Sequence, residues 1–252
     1  MRLDGKVAIV TGGGIGIGRA YSKGLAREGA KVAVADIQVE AATQVAEEIR
    51  KDGGEAIPVA VDVTSPEKTR EMAETTLKEY GHIDILVNNA ALYTALTKKS
   101  FMEIPEDEWD RVMAVNMKGL FLCVQAVYPA MKEQGKGKII NISSGTILGG
   151  TPMFLHYVSS KAGVLGFTRA LAREIGPDNI CVNTITPGLT ISSDNQDGVT
   201  TPQQLEARRR SRAFQRDQFP DDLVGTVIFL SSDDSDFVTG QAINVDGGQH
   251  MH

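Results

Sequence analysis

Cysteine is scarce in this chain, with Cys123 and Cys181 the only two among 252 residues. They sit in separate apolar runs, which excludes the dense cross-linking of a small secreted domain and suits a reducing cytoplasm. Histidine is scarce as well, at four residues. No His, Cys or acidic cluster has the closed spacing of a metal site, and the terminal pair His250 and His252 reads as a frayed end rather than as ligands. Basic charge does not accumulate: 26 Lys and Arg face 32 Asp and Glu, for a formal net charge of -6. A nucleic-acid or anionic-membrane partner would need a basic surface, so neither is expected. No apolar run approaches 18 residues, and the N-terminus enters a short apolar segment without a signal-peptide core; a soluble cytoplasmic protein is the expectation.

What is present is a globular composition, 42% hydrophobic and 23% charged, in a length that suits one domain over 1–252. Short β-branched runs recur at Val7 to Val10, Val32 to Ala35, Ala56 to Val63, Ile83 to Val87, Lys138 to Ile142, Ile180 to Ile185 and Ala242 to Val245. Between them lie amphipathic stretches of helical period at Gly16 to Glu28, Val39 to Lys51, Pro66 to Glu79, Asp107 to Gln134 and His156 to Ile175. Strand alternating with helix specifies an α/β fold, a doubly wound parallel sheet of about seven strands with helices on both faces. One segment breaks the alternation. Gly188 to Pro220 is polar, with a helix start at Thr201, Pro202 and Gln204, and is a lid candidate.

The first strand runs into Thr11-Gly12-Gly13-Gly14-Ile15-Gly16-Ile17-Gly18. A strand, a glycine cluster and a helix bring backbone N–H groups and a helix N-terminus up to a diphosphate. The spacing is G-x-x-x-G-x-G rather than G-x-G-x-x-G. Asp36 ends the second strand, where a carboxylate can accept hydrogen bonds from ribose hydroxyls and repels a 2′-phosphate. Ile37 and Gln38 follow it, with no basic residue, so NAD is expected over NADP.

Tyr157 stands four residues before Lys161, on one helical face, and thirteen after Ser144 at the end of a strand. A cation beside a phenol favours its phenolate, which makes a general base. The same Tyr-Lys spacing at Tyr128 and Lys132 lacks an upstream hydroxyl and reads as a surface helix edge. His156 points about 100° away from Tyr157 on a helix, so a packing role is expected for it rather than a second base.

Taken together, these motifs resemble the short-chain dehydrogenase/reductase family over the whole length. Thr11 to Gly18 matches its TGxxxGxG, Asp62-Val63 its adenine-contacting pair, and Asn88-Asn89-Ala90 its NNAG, with Ala91 in the last position. Asn116, Ser144, Tyr157 and Lys161 match its catalytic tetrad, Pro187-Gly188 its turn beside the nicotinamide, and Val245-Asp246-Gly247-Gly248 its C-terminal signature. The resemblance implies a cofactor site of Gly12, Gly14, Ile15, Gly16, Ile17, Gly18, Asp36, Asp62, Val63, Asn89, Ala90, Tyr157, Lys161, Pro187 and Gly188. Thr190 and Ser192 are added where the family commonly has a carboxamide-binding Thr. It also implies that Lys161 binds the nicotinamide ribose, that Asn116 positions a water, and that the protein is a homotetramer.

The pocket is expected to involve Leu92, Tyr93, Thr146, Met153, Phe154 and Leu189, an apolar and aromatic set suited to a medium-sized secondary alcohol or ketone. The segment around Gly150 to Ala172 also resembles family members that oxidise aryl alcohols or pyridoxal. Arg208, Arg209, Arg210, Arg212 and Arg216 crowd the lid. One of them facing inward could hold a substrate carboxylate or phosphate, although a solvated face is the commoner use of such a run. Two other functions are compatible with these residues, a 3-oxoacyl thioester reductase and a catalytically idle nucleotide sensor.

Overall fold

The structure, a computed structural model, describes residues 1–192 and 201–251. Seven parallel strands lie in the order β3-β2-β1-β4-β5-β6-β7: β1 Val7–Thr11, β2 Lys31–Asp36, β3 Ala56–Ala60, β4 Ile85–Asn88, β5 Gly137–Ile142, β6 Ile180–Pro187 and β7 Ala242–Val245. The order reverses between β1 and β4, and a doubly wound sheet opens its ligand crevice at that point, beyond the strand C-termini.

The helices are α1 Gly16–Arg27, α2 Val39–Lys51, α3 Pro66–Tyr80, α4 Glu106–Met113, α5 Leu120–Glu133, α6 Thr146–Gly149, α7 Leu155–Ile175, α8 Pro202–Ser211 and α9 Asp221–Ser231. Strand alternation divides the core between the two faces of the sheet. Ala8, Val10, Val32, Val34, Val87 and Ile140 pack with Tyr21 and Leu25 of α1, Val45 of α2 and Val227 of α9. Ile9, Ala33, Leu86, Ile139 and Val182 pack on the other side with Met72 of α3, Val127 and Met131 of α5 and Ile175 of α7. Burial on both faces is why the strands read as continuous apolar runs.

Three sequence expectations are adjusted. β3 stops at Ala60 rather than Val63, because β2, its partner among the described residues, ends at Asp36 opposite Ala60. The stretch expected as one helix from Asp107 to Gln134 is α4 and α5 joined by a π-helical segment at Ala114–Gly119. Glu106–Glu133 also contains an 18-residue window of mean hydropathy 1.3, long and apolar enough by composition to cross a membrane, where no such stretch was expected. About 44% of that window is buried in the protein, Cys123, Val127 and Met131 being spent on the sheet.

The lid candidate is closed at its base by a parallel bridge between Thr190 and Gln218. α8 starts at Pro202, as expected, while the Gln204 side chain, residues 193–200 and His252 fall outside the described residues.

Candidate active site

A cleft of about 700 Å³ lies over the strand C-termini and gathers residues from the ends of β2, β5 and β6 and from the loops that follow β1 and β4. At one end, the glycine loop turns back on itself. Gly12 has φ +60, and a Cβ on Gly18 would fall 1.9 Å from the Gly12 carbonyl oxygen, so α1 can start this close to the loop only with glycine there. The N-cap of α1, Ile15, offers no side-chain hydrogen bond, and the first turn holds no acid. Its first N–H groups and the positive end of its dipole are thus available to an anion, which fits a dinucleotide diphosphate.

Asp36 is 4% exposed. Its carboxylate accepts from the Gly14 N–H at 2.9 Å and the Gln38 N–H at 3.0 Å, which sets it at the rim beside Ile15, Ile17, Ile37, Asp62 and Val63. Thr64 donates twice to Asp62. Asn89 works inward: its Nδ2 donates to the carbonyls of Thr11 and Gly12, and the N–H groups of Asn89 and Ala90 donate to Thr11 Oγ1. The NNA motif thereby ties β4 to the glycine loop.

The middle of the cleft is lined by Ser144, Tyr157 and Lys161, while Asn116 is buried outside its lining. Ser144, at the end of β5, accepts from the N–H and Oγ1 of Thr146 at 3.2 and 3.0 Å, leaving its own proton to be donated. Tyr157 and Lys161 rise from one face of α7, with Lys161 Nζ 5.9 Å from the Tyr157 ring centroid. Lys161 donates to the Ile142 carbonyl at 2.9 Å, and its own carbonyl accepts from Ser143 at 2.6 Å. Asn116 sits in the π-helical segment, donating to Ser160 Oγ at 3.0 Å and accepting from the Leu92 N–H at 2.8 Å. A π turn displaces one residue from the α register, and such turns recur at functional sites.

The ionisation of this pair differs from the sequence expectation. Burial drives the Tyr157 phenol above its ordinary range, with the neighbouring Tyr93 adding to the rise and a hydrogen bond with Ser144 opposing it. Burial pulls Lys161 down to about 8. In each case burial is the leading cause, because desolvation penalises the charged form of either group.

Around Tyr157 an aromatic cage closes, with Phe154 stacked at 4.8 Å and Tyr93 at 5.2 Å between ring centroids. Leu92, Thr146, Leu189, Thr190 and Ser192 line the same cleft. Met153 does not. It is 55% exposed with φ 61, a turn that sends Phe154 inward in its place. His156 is fully buried and absent from the cleft wall; its Nε2 lies 3.0 Å from Glu108 Oε1. Tyr128 and Lys132 meet Asp178 at the surface, away from the cleft.

His250 corrects another expectation, since it is not frayed. Asp246 accepts from its N–H and faces its Nδ1 at 2.8 Å, while its carbonyl accepts from Asn244 Nδ2. The i,i+4 spacing from Asp246 was legible in the sequence. Lys98, Arg208 and Gln249 also line the cleft, and nothing in the local sequence singles out Lys98. Gly188 packs against Asp246 and Gln218, and its N–H donates to Val245, so the C-terminal signature braces the turn after β6.

The fold and this site define a dinucleotide-dependent oxidoreductase. Comparison with known proteins agrees. A family model described as enoyl-(acyl carrier protein) reductase matches residues 13–250. The chain is 37% identical to a 3-oxoacyl-(acyl-carrier-protein) reductase of Thermotoga maritima, covering 98% of this chain and 99% of that one. It is 36% identical to a hydroxy(phenyl)methylsuccinyl-CoA dehydrogenase subunit of Thauera aromatica, over 100% and 99%. A crystal structure from Sinorhizobium meliloti, described as a candidate short-chain alcohol dehydrogenase, superposes with a TM-score of 0.93 at 34% identity, over 98% and 97%. The chain belongs to the short-chain dehydrogenase/reductase family.

Proposed function

We propose that this protein transfers a hydride between NAD and a medium-sized, ring-bearing or otherwise hydrophobic secondary alcohol or its ketone. The observation that carries the cofactor choice is Asp36, a carboxylate held by two backbone N–H groups at the adenosine rim. No Lys or Arg lines that end of the cleft among the described residues. A 2′-phosphate would meet a fixed negative charge without compensation. The Tyr93 and Phe154 cage supports the substrate class, as does the aryl carbinol in the name of the Thauera relative.

In this reading the nicotinamide supplies the hydride acceptor or donor. Ser144 donates its free proton to the substrate oxygen, and Tyr157 accepts the alcohol proton during oxidation or returns it during reduction. The phenolate is favoured by Lys161 when cationic and by the positive charge of the oxidised ring. Lys161 holds the ribose, and Asn116, fixed by Ser160 and Leu92, presents a water to Lys161. The working unit is proposed to be a cytoplasmic homotetramer with no nucleic-acid or membrane partner. A 3-oxoacyl thioester reductase is the second reading, favoured by the name of the Thermotoga relative.

The test is nicotinamide absorbance with NAD⁺ and NADP⁺ over a panel of aryl, cyclic and aliphatic secondary alcohols, and with NADH and NADPH over the matching ketones and a 3-oxoacyl thioester. NAD⁺ is expected to exceed NADP⁺ by about a hundredfold in kcat/KM, with Asp36→Ala narrowing that ratio at least tenfold. Tyr157→Phe is expected to lower kcat by roughly 10² to 10⁴ while NADH still binds. Preference for NADPH and the thioester would establish the second reading instead.

A further inference from the structure

Charge is segregated along the cleft. Its two carboxylates, Asp36 and Asp62, both lie at the adenosine end, whereas Lys98 and Arg208 line the substrate end beside Tyr93 and Leu189. No carboxylate lines that end among the described residues.

The neighbours in sequence make the contrast. Lys99 is paired with Glu108 at 2.8 Å. In the lid, Arg209 is paired with Asp217, Arg210 with Glu206 at 2.9 Å and Arg216 with Asp222 at 2.6 Å. Arg212 donates to the carbonyls of Leu189 and Arg216. Lys98 and Arg208 alone among these have neither a carboxylate nor a carbonyl partner within the described residues. They come from different elements, the loop after β4 and helix α8, yet meet at one place. Burial and then the nearby Arg208 charge both depress Lys98, and Arg208 also acts on the Tyr93 phenol. Two cations brought together without an acid raise each other's energy, and an anion between them relieves it.

We propose that Lys98 and Arg208 form an oxyanion subsite that holds a carboxylate or phosphate of the substrate, remote from the carbinol carbon. The substrate is then an anionic hydroxy or oxo compound whose ring or chain spans the Tyr93 and Phe154 cage. This rests on the redox reading for where the carbinol lies. Arg208 contributes a planar fork suited to an oxyanion, and Lys98 contributes a mobile point charge at the rim.

Calorimetric titration of the NADH complex with 4-oxo-4-phenylbutanoate, its methyl ester and the corresponding 4-oxo-4-phenylbutyl phosphate, together with shorter and longer homologues, tests the subsite without turnover. The best acid or phosphate is expected to bind at least tenfold tighter than its neutral counterpart. Which of the two anions wins identifies the group. Arg208→Gln and Lys98→Gln are each expected to remove part of that advantage, the double variant nearly all of it, and Arg208→Lys to restore some. Anion and ester binding alike, no binding by either, or an advantage that survives in the double variant would overturn the proposal. An enzyme that binds the acid tightly yet never exchanges hydride with any alcohol would sink the redox reading and leave the subsite standing. Neutral ketones turned over without any preference for the acids would do the reverse.

Discussion

Lys161 is 3% exposed, and its burial holds the ammonium near 8, against 10.5 for a free lysine. A shift of that size corresponds to about 3 kcal/mol of strain on the charged form. Its sign follows from proton counting. Between about pH 8 and 10.5 the unfolded chain keeps the proton that the folded protein has lost, so stability rises with pH through that window. Lys161→Met removes the charge while filling the space, and its advantage over wild type in denaturant unfolding is expected to shrink by roughly 2 kcal/mol from pH 7 to pH 10. An advantage independent of pH would show that the ammonium is not strained. The residue itself was legible from its spacing to Tyr157 and Ser144. The direction of the Tyr157 shift was not, because desolvation depends on Phe154 and Tyr93 closing over the phenol from other parts of the chain.

At the scale of the element, the glycine loop and α1 depend on a single close approach. A methyl at Gly18 would meet the Gly12 carbonyl, so Gly18→Ala must push helix and loop apart. Overpacking of this kind costs about 1–3 kcal/mol. The expected outcome is a melting temperature lower by several degrees and NADH affinity lower by at least tenfold in a fluorescence titration. Gly166→Ala in α7 has open space around its Cβ and is expected to hold or slightly raise stability, since alanine is the better helix former. Most elements could be read from periodicity to within a residue or two. Where the reading missed, the cause lay outside the segment: β3 ends where β2 stops offering partners. Likewise, the α4 to α5 stretch takes a π turn where Asn116 reaches Ser160 on α7.

For the molecule as a whole, the lid is tied to the catalytic face through Arg212. It is 4% exposed, and its two terminal nitrogens donate to Leu189 and Arg216 at 2.7 and 3.0 Å. Arg212→Ala removes both hydrogen bonds, at a cost of about 1–3 kcal/mol. It is expected to raise substrate KM more than it lowers kcat and to speed proteolytic cleavage between α8 and α9; unchanged cleavage and KM would show that the lid is held elsewhere. By itself, the sequence determined the alternation of strands and helices, the glycine turn, the acidic end of β2 and the tetrad. Each of these rests on local spacing and backbone conformation. Only the tertiary structure decided which lid arginine faces the cleft and that Lys98 meets it there. Those outcomes depend on which carboxylates and carbonyls distant segments bring within reach, and short-range periodicity carries no record of such pairings.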